Sequence, residues 1–367
     1  MKLKQLFIGV LAVWIVSSCS VENPITPPDV PEPLSYRNIL AGLDWGTDTT
    51  FVYGHKSPDV DAVTSALSYA SLMRALGYKC KAKVSSATNR ESAYISKRLG
   101  FALPELKSSV EAGTRLIITD HSDYAQCVDG AKEAKILQKI DHHIEGDIRD
   151  AIIPYVRREM VGSTCTIIYG CFNELGVPID DESAKIMLAG ILSDTRNLST
   201  TTTKGVDSIA WKALVTQLGL EEQIDQINRE MEEAAYNYDG MTDSEIFLSD
   251  YKDYEIGNHL IGFSSLSCKK NEMDAFITRM LAVMPEVMKQ KGRDMIFAKI
   301  DNLVPNTDTG SQASLYVSEG TYFIYYGEGT KTIAETIFGT SLREGITYTK
   351  ENLVRKQIVP KITELLK

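Results

Sequence analysis

The chain has 367 residues, of which 43% are hydrophobic, and its 49 acidic and 39 basic side chains give a formal charge of -10. That length and apolar content suffice for two buried cores and exclude a small scaffold stapled by disulfides. The acidic balance argues against nucleic acid as a partner, because a phosphate backbone is held by neutralising lysines and arginines.

In chain order, the first predicted element is a leader. Residues 1–19 place Lys2 and Lys4 before an apolar run, Leu6–Val16, followed by small residues and Cys19. The run is too short to span a bilayer and has the layout of a secretory signal. Its end, Val16-Ser17-Ser18-Cys19, looks like a lipoprotein lipobox with Cys19 as the lipidated residue. That predicts a lipid-anchored protein of the bacterial cell envelope, on the periplasmic side or at the outer membrane. Residues 20–48 contain Pro24, Pro27, Pro28, Pro31 and Pro33 and read as an extended tether. The other five cysteines are an odd set with no CxxC, which points to buried small hydrophobes rather than disulfides.

Across residues 49–235, short apolar strands alternate with amphipathic helices, the pattern of an α/β domain with a parallel sheet. Strands are predicted at Thr50–Tyr53, Lys79–Val84, Arg115–Thr119, Lys135–Ile140 and Ile152–Val156. Helices are predicted at Val60–Leu76, Arg90–Leu99, Ser163–Leu175, Glu182–Leu192, Val206–Leu218 and Leu220–Glu233. A linker at 236–243 leads into a smaller α/β domain, 244–367, expected to carry a mixed sheet. Its predicted strands are Leu260–Phe263, Asp294–Ile300, Ala313–Val317 and Tyr322–Tyr326, with a helix at Met273–Met288.

Three polar clusters each begin where a predicted strand stops: Gly54-His55-Lys56-Ser57-Pro58-Asp59-Val60-Asp61, Asp120-His121 and Asp141-His142-His143. A fourth, Ser193-Asp194-Thr195, ends an apolar helix. In an open parallel sheet the carboxyl ends of the strands border the ligand crevice, so distant segments can aim at one point. His55 and Asp59 can close on one ion from two sides of a tight loop, while Asp61 can turn toward a neighbouring ion. Asp59 also suits a helix cap. Two imidazoles and four carboxylates form an oxygen-rich set that suits Mn²⁺, Co²⁺ or Mg²⁺ better than structural zinc. Two such ions about 3.5–4 Å apart can share a hydroxide and present it to phosphorus. The chemistry implied is phosphoanhydride or phosphoester hydrolysis.

The ordered set GHKSPDVDAV, ITDH, KIDHHI, VGSTCTIIY and SDT resembles the DHH phosphoesterases and, within them, the family II inorganic pyrophosphatases, over roughly residues 50–363. The resemblance implies a DHH domain followed by a DHH-associated domain that binds substrate. It implies two Mn²⁺ ions, one held by His55 and Asp59, the other by Asp61, His142 and Asp194, with Asp120 bridging them. His143 would not be a ligand but would face the substrate and stabilise or protonate the departing phosphate. Arg355 and Lys356 would bind the substrate, which could bring additional Mg²⁺. Asp141 and His121 would orient ligands, although a purely structural role for His121 is equally open. Gly162-Ser163-Thr164 reads as a structural helix cap, with an anion-facing role as the alternative. A homodimer is compatible with the resemblance.

Two departures stand out. Val354 occupies the place of the family's first arginine in its basic signature, and a second substrate lysine of the family falls near Asn258 or His259, where no lysine stands. Lys269 and Lys270 read as surface lysines. The implied activity is hydrolysis of inorganic pyrophosphate to two phosphates. Its rivals are a short-chain exopolyphosphatase, a small-nucleotide phosphodiesterase and, in another class, a non-catalytic metal-binding envelope lipoprotein.

Overall fold

A computed structural model describes residues 35–307 and 315–367. The leader, Cys19 and the proline-rich part of the expected tether lie outside the described residues. Strands β1 (Thr50–Tyr53), β2 (Cys80–Val84), β3 (Glu105–Leu106), β4 (Arg115–Thr119), β5 (Lys135–Asp141) and β6 (Tyr155–Arg158) form a parallel sheet in the order β3-β2-β1-β4-β5-β6. The chain moves outward one way from β1 and the other way from β4. The carboxyl ends of β1 and β4 therefore flank the switch point where such sheets bind ligands.

The helices of this first domain are α1 (Tyr36–Ala41), α2 (Val60–Ala75), α3 (Arg90–Leu99), α4 (Thr164–Leu175), α5 (Asp181–Thr195), α6 (Gly205–Leu218) and α7 (Ile224–Tyr236). Helices α2 and α5 pack together beneath the sheet, and both are buried nearly all round, as expected of central helices. Their Leu72, Met187 and Leu188 share a core with Val52, Ile117 and Ile140. On the other face, Tyr53, Leu116 and Ile118 are covered by irregular chain carrying Cys127, Val128 and Ile148.

The second domain opens with α8 (Asp243–Phe247) and holds β7 (Tyr251–Ile256), β8 (His259–Lys269), β9 (Met295–Pro305), β10 (Tyr316–Tyr326) and β11 (Ile346–Thr349). They pair in the order β11-β10-β9-β8-β7, with β8 and β9 parallel and the other neighbours antiparallel. Helix α9 (Met273–Lys291) crosses between β8 and β9 and covers one face; α10 (Thr330–Phe338) and α11 (Arg355–Leu366) cover the other.

The predicted mixed sheet is present, but its details differ. Strand β10 runs unbroken where two strands are predicted, because an irregularity between Ser318 and Thr321 absorbs Gly320 without ending the ladder. Residues 313 and 314 of the first of those predicted strands lie outside the described residues. In the first domain β6 begins later than expected, since Asp150–Ile152 forms a 3₁₀ turn capped by the Glu145 carboxylate. All five described cysteines are buried and unpaired, as expected.

The expected tether does not extend to residue 48. Every proline of residues 20–48 precedes Tyr36, and Tyr36, Ile39, Leu40, Leu43 and Trp45 follow. Tyr36 and Leu40 enter the first core, Tyr36 stacks on Tyr155 at 4.8 Å, and Trp45 stacks on Tyr78 at 4.1 Å. Residues 36–45 thus belong to the folded domain. Leu40→Ala is expected to lower stability by about 2–5 kcal/mol in urea unfolding; an unchanged midpoint would return this segment to the tether.

Candidate metal centre

At the end of β1 the chain turns sharply over the start of α2. A side chain at residue 54 would put its Cβ 2.3 Å from the Ala62 carbonyl oxygen, so the turn requires Gly54. It delivers His55, whose Nε2 lies 3.2 Å from Asp59 Oδ2 and 3.5 Å from Asp120 Oδ2. Asp59 caps α2, its Oδ1 accepting the Ala62 N–H at 3.0 Å, and its other oxygen faces His55. His55 Nδ1 is buried without a partner.

Asp120 follows β4 directly and has φ of 62°, a left-handed conformation that costs a non-glycine residue energy and is typical of functional sites. Its N–H is pinned to the Ile140 carbonyl at 3.0 Å. The side chain can therefore point Oδ2 at His55 while Oδ1 lies 3.1 Å from His142 Nε2.

Strand β5 brings in His142. Its Nδ1 donates to the Val161 carbonyl at 3.1 Å, which fixes the tautomer and leaves the Nε2 lone pair free to face inward. That nitrogen lies 3.3 Å from Asp194 Oδ2 and 3.8 Å from Asp61 Oδ2. Asp61 is held by the start of α4, accepting from Ser163 Oγ at 2.6 Å, Thr164 N at 2.7 Å and Cys165 N at 3.2 Å. The α4 N-terminus is thus spent on a side chain of the protein, in keeping with the structural reading of Gly162-Ser163-Thr164. Gly190 of α5 completes the fit, because a Cβ there would approach Asp61 Oδ1 to 2.8 Å.

Two histidines are tied differently. His143 Nδ1 donates to Asp141 at 2.8 Å and, being protonated, offers no lone pair toward Asp120 at 3.6 Å. Its ring borders the crevice. His121 donates from Nδ1 to the Thr119 carbonyl at 2.8 Å and accepts from the Cys127 thiol at 3.1 Å, which makes it a buried structural histidine. Burial lowers its pKa to about 4.

Two groups can each hold a metal ion: His55, Asp59 and Asp120; and Asp61, Asp120, His142 and Asp194. Within each, the ligand atoms lie within 4.8 Å of one another, and Asp120 belongs to both. A further grouping of Asp120, His142 and His143 satisfies the same distances, but His143 is committed to Asp141. The electrostatics call for cations. Burial, reinforced by Asp120 and Asp194, pushes Asp61 up to about 8. Burial and the Asp59 charge push Asp120 up to about 7. An ammonium already sits at this point: Lys356 Nζ lies 2.6 Å from His142 Nε2 and 3.2 Å from Asp194 Oδ2. Carboxylate oxygens supplemented by imidazole fit hard divalent ions.

The second domain supplies further cations around a crevice of about 980 Å³. Arg355, at the start of α11, clamps the Asp250 carbonyl at 2.8 Å and carboxylate at 2.7 Å, so its charge is shared with the crevice wall. Asn258 lies in the β7–β8 turn and His259 opens β8, so no lysine stands there; Lys252 on β7, however, is buried, lines the crevice and acts electrostatically on Asp59 and Asp120. Its strand, Tyr251-Lys252-Asp253-Tyr254-Glu255-Ile256, is too charged to signal a buried β-element, and that is why the residue escaped prediction. Lys270 pairs with Glu319 at the surface and Lys269 lies over Tyr316, as expected of surface lysines.

Metal binding here must displace protons from Asp61 and Asp120. Both carboxyls have raised folded-state pKa values, so the stability they contribute is complete below their ordinary pKa near 4 and is lost as pH rises through about 7 to 8. The buried His121 and His142 and the half-buried His143 are shifted downward and act in the opposite sense only below about pH 6.5. Metal-free protein is therefore expected to lose stability in urea between pH 6.5 and 8.5, with Mn²⁺ abolishing the loss. Stability that is flat or rising across that interval without metal would contradict this electrostatic picture.

Residues 49–191 match the family model described as DHH family, N-terminal domain, and residues 229–365 match the DHHA2 domain. A manganese-dependent inorganic pyrophosphatase of Methanothrix thermoacetophila is 29% identical over 330 residues, 87% of this chain and 99% of the relative. A probable manganese-dependent inorganic pyrophosphatase of Clostridium acetobutylicum is 28% identical over 321 residues, 87% of this chain and 98% of the relative. The crystal structure of a Methanococcus jannaschii protein, solved as a candidate family II inorganic pyrophosphatase, superposes with a TM-score of 0.74 at 24% identity, covering 87% of this chain and 99% of that one. The fold is shared over 87% of the chain, and the two domain models match it in the order DHH family N-terminal domain, then DHHA2 domain.

Proposed function

We propose that the protein is a metal-dependent hydrolase that splits inorganic pyrophosphate into two phosphates, with a pair of Mn²⁺ ions as its cofactor. The observation that carries this reading is the position of Asp120, one buried carboxylate within ligand distance of both groups of metal-binding side chains. His55 and Asp59 would complete one site and Asp61, His142 and Asp194 the other, with Co²⁺ or Mg²⁺ as substitutes. Relatives described as manganese-dependent pyrophosphatases over nearly their full length support the choice of ion and substrate. When bound, such a pair supplies a nucleophile at neutral pH and a positive field for phosphate oxygens.

The protein's own residues do the rest. Burial works against ionisation of Asp141, but His143 and His142 outweigh it and hold the carboxyl well below its usual range. The ionised Asp141 therefore orients the His143 ring toward the crevice. Burial and the Lys356 charge keep the His143 pKa low in the free protein. An anionic phosphate beside it reverses that repulsion, so His143 can take up a proton and pass it to the departing phosphate. Lys356 and Lys252 neutralise the substrate, with Arg355 held further back by Asp250.

A second reading is favoured by one observation, the size of the crevice. About 980 Å³ is at the upper end for drug-sized ligands and well beyond the need of pyrophosphate. Combined with Val354 in place of an arginine, it leaves room for short-chain polyphosphate or a small nucleotide. The remaining alternative, a non-catalytic metal-binding envelope protein, is opposed by the retention of all six candidate ligands.

Phosphate release from pyrophosphate, tripolyphosphate and a dinucleotide, measured with Mn²⁺, decides among these. Pyrophosphate is expected to turn over fastest, and equal or faster turnover of the others would overturn the assignment. Asp120→Asn is expected to lose at least about 100-fold in activity, since even partners outside the ligand shell cost 10–100-fold. Retention of activity would remove the bridging role.

Anchoring through Cys19 belongs to the same proposal, supported by Lys2, Lys4, the apolar run and the small residues before the cysteine. Among the described residues no helix is long and apolar enough to cross a membrane. Cells fed labelled fatty acid are expected to label the wild-type protein and not Cys19→Ser; labelling of neither form would contradict the anchor.

A further inference from the structure

Directly beyond Asp194, at the end of α5, the backbone takes an unusual course. Arg196, Asn197 and Leu198 have φ of 45°, 52° and 70°, three successive non-glycine residues in the left-handed region. Each such residue is held in a disfavoured conformation, so the turn persists only where its surroundings hold it. Several holds come from the first domain, among them the Asn197 N–H to the Leu192 carbonyl at 3.0 Å and the Asn197 side-chain amide to Asp225 at 3.4 Å. Trp211 Nε1 donates to Asn197 Oδ1 at 3.0 Å, and the Leu198 N–H donates to Thr195 Oγ1 at 2.9 Å.

A further hold comes from the second domain. The Arg196 guanidinium donates to Asp301 Oδ2 on β9 at 2.9 Å. Lys299 Nζ, on the same strand, donates to that oxygen at 2.7 Å, and both Lys299 and Asp301 are almost wholly buried. Lys299 gives the buried Asp301 carboxylate a partner within its own domain, and the bond to Arg196 adds a second one that ties β9 to the strained turn of the first domain. The turn begins two residues after Asp194, which the last turn of α5 holds facing His142 at 3.3 Å and Lys356 of the second domain at 3.2 Å.

We propose that Arg196 is a positioning residue: through Asp301 it couples the seating of the second domain to the strained turn after Asp194, and so sets the affinity of the Asp61–His142–Asp194 ion site. The coupling rests on the metal assignment proposed above. When the Arg196–Asp301 bond is made, the left-handed turn is braced from both domains and Asp194 is held at its site. When the bond is broken, the turn can relax and carry the carboxylate away from His142.

The test is Mn²⁺ titration of the full chain, read by the resonance signal of free Mn²⁺. The two sites are separated by working in Asp59→Asn and Asp61→Asn backgrounds. Arg196→Met is expected to weaken the site that retains Asp61 by about 10-fold, the lower range for residues that orient ligands, and to leave the site of His55 and Asp59 unchanged. Arg196→Lys should recover most of the loss. The paired change Lys299→Met with Asp301→Leu removes the acceptor without stranding a buried charge and should reproduce the defect, with no further loss on adding Arg196→Met. Unchanged affinity in Arg196→Met, equal weakening of both sites, or additivity with the Lys299–Asp301 pair overturns the proposal. A wild-type chain that binds fewer than two ions overturns the metal assignment and this coupling with it, whereas two wild-type ions indifferent to Arg196 overturn the coupling alone.

Discussion

The structure is organised around a concentration of buried negative charge. Asp61, Asp120 and Asp141 are sealed from solvent at the carboxyl end of one sheet, with Asp59 and Asp194 at the margin. Such a group is stable only if each oxygen is given a donor or a cation. The protein supplies donors to part of it: the α4 N-terminus to Asp61, the backbone and ring of His143 to Asp141, and the Ala62 N–H to Asp59. Asp120 receives a hydroxyl from Thr164 at 3.1 Å but otherwise faces two imidazoles. What the protein leaves unmatched is the charge that a pair of divalent ions carries.

Much else in the fold follows from placing those residues. Reversal of strand order between β1 and β4 brings the His55 loop and Asp120 side by side, and β5 lies next to β4 to add His142. Helix α5 runs back beneath the sheet so that its last turn presents Asp194, and Gly190 lets it approach Asp61 without a clash. The second domain closes the site with lysines from two unrelated places, Lys252 near the start of its sheet and Lys356 on its last helix. The arginine beside Lys356 is occupied with Asp250, and Val354 contributes no charge. This crevice therefore relies on ammonium groups more than on guanidinium forks, a difference that favours compact charge neutralisation over bidentate phosphate recognition.

The metal-binding residues were legible in the sequence for a physical reason. A parallel strand buried on both faces reads as an unbroken apolar run, so Phe51-Val52-Tyr53 and Leu116-Ile117-Ile118 announce themselves, and histidines or aspartates at their ends stand out. The same logic failed in the second domain. Strand β7 alternates tyrosines with charged residues, β11 has only four residues, and α11 contains Pro360, so none carries a clean periodicity. Lys252 was hidden with its strand. Helix α1 was hidden by its neighbours, because six residues after a proline-rich segment offer no period of their own and fold only against Tyr69 and Tyr155. The left-handed turn at Arg196 was beyond reach of composition, since no glycine marks it.

The central claim is that one buried carboxylate, Asp120, is shared by two cations. Anomalous diffraction at the manganese edge from crystals grown with Mn²⁺ tests it most directly. Two peaks about 3.5–4 Å apart are expected, one against His55 and Asp59, the other against Asp61, His142 and Asp194, with Asp120 touching both. A single peak, or two peaks that leave Asp120 unligated, would contradict it.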